Sequence, residues 1–285
     1  MKAAAFDYTR ASSVDVAIDL LTQHAPSAQI LAGGQSLMAM MNLRLAQPGM
    51  LIDISGIEAL KTIEVSGKTL RIGALVTHHA MAQSDLVARH VPLLAQAVPH
   101  VAHLAIRHVG TIGGSLALAD PAAEYPAVAL ALNATIVAQG PKGTRRIPIA
   151  DYFHGLYQTA LQSDELLVAV EFPVAQAGQA FHFDELSRRR GDYAMVGLAC
   201  ALTLQGSTVA QARLAYLAVG DGPVLATHAM DAIQGQTLDA AHIQAAQQAL
   251  TKDLQPNGDL QADAATKVHL ARVLLGRALQ SMRGA

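Results

Sequence analysis

The apolar positions change period along the chain, and that change divides it. Val14, Ile18 and Leu21 recur at helical spacing, which predicts a helix over 14–24, opened by Ser12 or Ser13 and stopped by Pro26. A short apolar run at 28–32 reads as a strand ending in Gly33-Gly34. A Leu- and Met-rich stretch at 36–45 reads as a helix broken by Pro48-Gly49. Residues 50–54 form the next strand, with a turn at 57–60. Residues 62–65 and 69–72 flank Ser66-Gly67-Lys68 as a hairpin. Thr77 caps a helix through His78, His79 and Met81. Residues 93–104 read as a helix and 107–115 as a glycine-containing loop. Strands are expected at 134–139 and 145–148, around Gly140-Pro141-Lys142-Gly143, and at 166–172, closed by Pro173.

The segment 174–179 is small and polar and contains Gly178, so the domain boundary is placed there, giving 1–173 and 174–285. Beyond it, 181–186, 195–204 and 209–219 alternate with period two around turns such as Gln205-Gly206-Ser207. Helical periods return at 226–234, 240–250 and 263–282. A meander followed by helices predicts an α+β unit.

Composition narrows the function classes. Lys and Arg number 20 against 22 Asp and Glu, so no basic face for a nucleic acid is expected. A polybasic membrane patch is equally unsupported. Apolar residues make up 52% of the chain but aromatics only 4%, so the core is aliphatic. Charged residues are 15%, below the usual quarter, which fits a surface partly covered by other subunits or simply an alanine-rich composition. The one cysteine, Cys200, excludes an internal disulfide, and it excludes an iron–sulfur cluster held by this chain alone. It lies in the alternating stretch 197–204 and reads as a buried structural thiol. No apolar leader precedes the first charges, and the apolar stretch 127–138 is too short for a bilayer and contains Asn133. A cytoplasmic protein with no membrane span is expected.

Candidate chemistry sits in two glycine loops. Ala32-Gly33-Gly34-Gln35-Ser36-Leu37 falls between a strand and a helix. Glycines there let a ligand approach the backbone, and free amides can hold a phosphate oxygen. An ordinary tight turn needs the same residues. A Rossmann unit also gives strand, glycine turn, helix and a second strand with Asp53, but the G-x-G-x-x-G spacing is absent. Thr111-Ile112-Gly113-Gly114-Ser115 repeats the pattern, and two such loops can clamp a pyrophosphate from both sides. Asp120 and Glu124 follow, and a carboxylate there can accept hydrogen bonds from sugar or polyol hydroxyls. A cap before Pro121 and a solvated turn residue are the plain alternatives. The pairs His78–His79 and His100–His103 invite a metal reading, but no H-E-x-x-H pattern or cysteine supports it.

These blocks resemble a known family. Residues 32–37, with Asn42-Leu43-Arg44, look like the first FAD loop of the medium subunits of molybdenum hydroxylases. Residues 111–117, with Asp120-Pro121 and Glu124, look like the second, and Arg189-Arg190-Gly191-Asp192-Tyr193-Ala194 like a third block. The set, in order, is shared with carbon monoxide dehydrogenase, xanthine dehydrogenase and quinoline oxidoreductase medium subunits. The resemblance implies a two-subdomain FAD-binding fold, PCMH-type and vanillyl-alcohol-oxidase-like, with subdomains of roughly 1–55 and 56–173. A C-terminal domain of a three-stranded antiparallel sheet with helices follows.

It also implies roles. Ala32, Gly33, Gly34, Gln35, Ser36 and Leu37 would hold one side of the FAD pyrophosphate, and Thr111, Gly113, Gly114 and Ser115 the other. Asp120 and Glu124 would meet the polyol chain. Leu167 would line the isoalloxazine ring and Tyr193 lie against it, although strand core explains Leu167 equally well. Arg188, Arg189 and Arg190 would support a reduced flavin or a partner, or be solvated. The implied partners are a large subunit carrying the molybdenum cofactor and a small subunit carrying [2Fe-2S] clusters, two copies of each forming a heterohexamer with this chain. Electrons would pass from the clusters through FAD to an external acceptor, with no catalytic acid or base on this chain. Choice of substrate would belong to the large subunit. The alternative is a self-contained flavin oxidase or reductase of the same fold, which the short C-terminal portion disfavours.

Overall fold

The computed structural model describes residues 2–283. The chain opens with β1 (Asp7–Arg10), α1 (Val14–His24), β2 (Ala28–Leu31), α2 (Leu37–Asn42) and β3 (Met50–Asp53). The Ser13 hydroxyl accepts the Val16 amide and starts α1, whose Ala17, Ile18 and Leu21 turn inward. Strand β3 runs between β1 and β2 and parallel to both, with Ile52 opposite Thr9 and Ile30. Helices make the crossovers that parallel pairing requires.

Next come β4 (Ile63–Ser66), β5 (Thr69–Gly73) and six helices: α3 (His78–Ala82), α4 (Asp85–His90), α5 (Pro92–Ala97), α6 (Leu104–Arg107), α7 (Ile112–Leu118) and α8 (Glu124–Ala131). Strands β6 (Thr135–Gly140) and β7 (Gly143–Pro148), the small hairpin β8 (Phe153–Gly155) and β9 (Gln158–Thr159), and β10 (Leu166–Pro173) complete this part. The sheet order is β4-β5-β10-β6-β7, antiparallel throughout.

Two expectations change here. The helix expected over 93–104 is interrupted: α5 ends at Ala97, the tighter turn Val98–His100 follows, and Ala102 takes a φ of 43°. Pro99, which lacks an amide and crowds the preceding turn, accounts for the break. The glycine loop expected over 107–115 is helical from Ile112. Thr111 caps it by accepting the Gly114 amide, so Gly113 and Gly114 lie in a first helical turn.

The last part holds β11 (Gln179–Leu186), β12 (Val196–Gln205), β13 (Thr208–Leu217), β14 (Val224–Leu225), α9 (Thr227–Ile233), α10 (Ala240–Asp253) and α11 (Ala264–Ser281). The three long strands expected are joined by the two-residue β14, which pairs with Ala215 and Tyr216. Both sheet faces are covered. Leu198, Cys200, Leu202, Leu214 and Tyr216 pack with α9, α10 and α11, while Ala199, Ala215 and Leu217 join the core that holds α5 and α8. Residues from both sides of segment 174–179 thus share that core. Arg213 of β13 also donates to the Leu130 and Ala131 carbonyls at the end of α8, filling acceptors that the helix leaves open. A third core joins the first two sheets through Ile52, Ile54, Leu75 and Val168.

Candidate functional site

The first glycine segment turns between β2 and α2. Gly34 has a φ of 68°, where a side chain strains the backbone. Gly33 is needed for another reason: a Cβ on it would lie 2.3 Å from the Val109 carbonyl oxygen and 2.9 Å from the Gly110 Cα. Gly33 thus abuts the Val109–Gly110 backbone that leads into the second glycine segment. Among the described residues, the amides of Gly33, Gly34, Gln35, Ser36 and Leu37 donate no hydrogen bond, while Met38 and Met40 behind them donate to Gly34 and Ser36. Five consecutive donors stand beside the seam, a cradle suited to phosphate oxygens. Ala32, Gly33, Gly34, Ser36 and Leu37 are half-buried and Gln35 is exposed, its amide folded onto the Gly33 carbonyl.

The second segment is built differently. Its Ile112 amide donates to Val76, its Gly113 amide to Ala74, and the Gly110 carbonyl accepts from His78. A Cβ on Gly113 would lie 2.5 Å from the Ala74 Cβ, so Gly113 is buried and lets α7 close onto the chain after β5. What this segment turns outward is Gly114 and part of Ser115, beside the capping Thr111 hydroxyl. Gly113 itself is not brought to the surface.

Behind the seam lies a buried pair absent from the sequence reading. His78 Nδ1 is 3.0 Å from the Tyr125 hydroxyl, and a Cβ on Gly110 would lie 2.7 Å from His78 Nε2. Burial, with Arg107 nearby, pushes the His78 imidazole down to about 4, so it is neutral at ordinary pH. The remaining histidines scatter: His79 stacks on His108 with ring centres 4.1 Å apart, His100 Nδ1 lies 3.6 Å from Glu185 Oε1, and His103 precedes α6.

Carboxyls and tyrosines gather on one side. The Asp120 Oδ1 accepts the Ala122 amide, fixing the turn into α8, and Glu124 is the first residue of that helix. Glu124 keeps some exposed surface but is ringed by protein. Burial first, then Glu185 and Asp120, push its carboxyl up to about 8, against one stabilising backbone hydrogen bond. Tyr193 is 62% exposed, and its phenol is raised by partial burial and then by the nearby Asp120, Tyr157 and Glu124. Its loop is anchored by Gly191, whose Cβ would lie 2.7 Å from the Ala102 carbonyl oxygen. Arg107 in turn donates from Nη1 to the carbonyls of Pro99, Val101 and Ala102, stitching that turn. Arg188 donates to the Leu260 carbonyl and Arg189 pairs with Asp192.

Leu167 stands apart from the other expected site residues. It is 4% exposed and packs in the core under the second sheet, next to the bulge between Leu167 and Ala169. Its neighbour Val168 accepts the Ala74 amide, so its backbone adjoins the strand end against which Gly113 packs.

The family described as FAD binding domain in molybdopterin dehydrogenase matches residues 4–175, and that described as CO dehydrogenase flavoprotein C-terminal domain matches 181–282. The 6-hydroxypseudooxynicotine dehydrogenase complex subunit alpha of Paenarthrobacter nicotinovorans is 37% identical over 98% of this chain and 95% of its own length. A solved carbon monoxide dehydrogenase from Hydrogenophaga pseudoflava, which lacks the Mo-pyranopterin moiety of the molybdenum cofactor, superposes with a TM-score of 0.97 at 36% identity over 100% of both chains. Quinoline 2-oxidoreductase from Pseudomonas putida 86 gives 0.94 at 36% identity over 99% of this chain and 98% of that one. The chain belongs to the FAD-binding medium subunits of the molybdenum hydroxylase family, and is an oxidoreductase subunit.

Proposed function

We propose that the chain binds one FAD across the seam between its two glycine segments and passes electrons from the iron–sulfur clusters of a small partner subunit to an external acceptor. A large subunit carrying the molybdenum cofactor completes the complex, a cytoplasmic heterohexamer with two copies of each chain. The observation that carries the reading is the run of five unpaired amides, Gly33 to Leu37, beside the Val109–Gly110 backbone.

Each residue then has a task. The amides from Gly33 to Leu37, with the Ser36 hydroxyl and the Ala32 and Gln35 backbone, hold one side of the pyrophosphate. The Thr111 and Ser115 hydroxyls and the bare Gly114 take the other, while Gly113 seats α7 at the required depth. Asp120 and Glu124 face the polyol chain. Tyr193, exposed and held by Gly191, covers one face of the ring and excludes water from it. Leu167 would act only from the core, through the backbone of its neighbour Val168. Bound FAD supplies the redox chemistry, taking up an electron pair and releasing it; the residues position it and set its electrostatics.

The domain division at 173/174 is part of the same reading. It is supported by the end of β10 at Pro173 and by the two family matches, which stop at 175 and resume at 181. Among the described residues, no helix is long and apolar enough to cross a membrane. The partners are supported by the names of the relatives, one a subunit of a dehydrogenase complex. Native purification through a tag on this chain tests the assignment. Flavin and iron–sulfur absorbance with two co-purifying chains is the expected result. A yellow chain that oxidises an organic substrate alone would favour the self-contained flavoenzyme.

A further inference from the structure

His78 and Tyr125 meet behind the Val109–Gly110 side of the seam. The backbone carrying His78 pairs with that side: Thr77 bridges Thr111, the His78 amide donates to the Gly110 carbonyl at 3.0 Å, and the Ile112 amide donates to Val76 at 3.1 Å. The His78 ring packs against Gly110. A Cβ on Gly110 would lie 2.7 Å from His78 Nε2 and 2.9 Å from its Cδ2, so only a glycine fits over the imidazole. The Cα of the same Gly110 would lie 2.9 Å from a Cβ on Gly33. Gly110 thus touches the imidazole and Gly33 alike.

The tautomer of His78 follows from its partner. Tyr125 is fully buried, and among the described residues its hydroxyl has one hydrogen-bond partner, His78 Nδ1 at 3.0 Å. Burial keeps the proton on the phenol, and a buried O–H needs an acceptor. Burial, with Arg107 nearby, also keeps the imidazole neutral at ordinary pH, so one ring nitrogen donates and the other accepts. A proton on Nδ1 would leave the Tyr125 O–H in the core without an acceptor. A proton on Nε2 frees Nδ1 to accept from Tyr125. The Ile106 carbonyl oxygen lies 3.1 Å from that same Cβ position on Gly110, so Nε2 has an acceptor for a neighbour, which suits an N–H and not a lone pair.

We propose that Tyr125 and His78 are positioning residues for the seam: the Tyr125 hydroxyl donates to His78 Nδ1, fixes the ring with its proton on Nε2, and so makes the imidazole the backing that keeps Gly110 against Gly33. A half-turn of an unbonded ring would exchange Nδ1 for Cδ2 and Nε2 for Cε1, and so change what lies against Gly110. The Tyr125 bond holds one of the two orientations. Tyr125 belongs to α8, whose last carbonyls are taken by Arg213 of β13, so the backing is braced from the C-terminal part of the chain. The inference rests on the FAD reading above, since the seam it steadies is where FAD is placed.

The test begins with a long-range 1H–15N spectrum of the imidazoles in the full native chain at pH 7, His78 being assigned by its loss in His78→Gln. One neutral tautomer with its proton on Nε2 is expected. A proton on Nδ1, or exchange between both tautomers, overturns the proposal, and this readout needs no folded variant of Tyr125. Tyr125→Phe should move the Gly33 and Gly110 amide signals of the apo chain and weaken FAD binding about three- to tenfold. A variant that loses stability but keeps native amide signals and native FAD affinity shows a merely structural role and overturns the proposal. Adding Tyr125→Phe to His78→Gln should weaken FAD binding no further, because the two act as one unit; an additive loss overturns it. A native chain that binds no FAD, with the Nε2 proton in place and the amide signals moved by Tyr125→Phe, upholds the positioning role and sinks the FAD reading instead.

Discussion

At the residue scale, one backbone contact and one buried ring govern the site. Gly33 has no room for a Cβ beside the Val109 carbonyl. Gly33→Ala should therefore part the two glycine segments and weaken FAD binding at least about tenfold, a cost of roughly 1.4 kcal/mol or more, while secondary structure by circular dichroism stays native. His78 sets an acid-side limit. Its folded-state value, about 4, lies below the ordinary 6.5, so stability is full above pH 6.5 and is lost as pH falls towards 4. About 3 kcal/mol is at stake, and His78→Gln should flatten the decline of the thermal midpoint between pH 6.5 and 4. The glycines were legible because a missing side chain next to a hydroxyl is a local signal. The His78–Tyr125 pair was not, since it depends on a partner 47 positions away along the chain.

At the element scale, legibility followed burial. α1 and the β4–β5 hairpin, each with a wet face, declared their period, and the β11–β13 meander, covered on both faces, was marked by its turns; all emerged within a few residues of their bounds. Strand β1 escaped because it is an exposed edge with no apolar alternation. Helix α8 escaped for the opposite reason. Tyr125, Pro126, Ala127, Val128, Ala129 and Ala131 are all buried, and a helix that is apolar all round shows no stripe. The broken stretch after α5 matters for function, because the turn at Ala102 seats Gly191 and hence Tyr193. Arg107→Ala removes the three-carbonyl clasp on that turn. A loss of about 1.5–3 kcal/mol is expected by denaturant titration, with a change in the visible circular dichroism of the bound flavin. Unchanged flavin dichroism would show that the turn does not set Tyr193.

At the scale of the whole molecule, the last part of the chain contributes to the proposed site as well as to the core. It carries Tyr193, and it reaches the carboxyl turn through a backbone hydrogen bond. Buried Lys267 of α11 donates to the Ala218 carbonyl and pairs with Asp259, whose carboxyl it holds down to about 2, and the Ala218 amide donates to Pro121, next to Asp120. Lys267→Met leaves the Ala218 carbonyl unpaired, so a stability loss of about 1–3 kcal/mol is expected, with weaker FAD binding traceable to the Asp120 turn. This link was invisible in the sequence, where Lys267 lies 146 positions after Pro121.

The central claim is that FAD lies across the seam of the two glycine segments. It is tested most directly by titrating FAD into the purified full chain and its Gly33→Ala variant, with flavin fluorescence as the readout. The account predicts one FAD bound per native chain and at least about tenfold weaker binding to the variant. Equal binding by the two chains would contradict it.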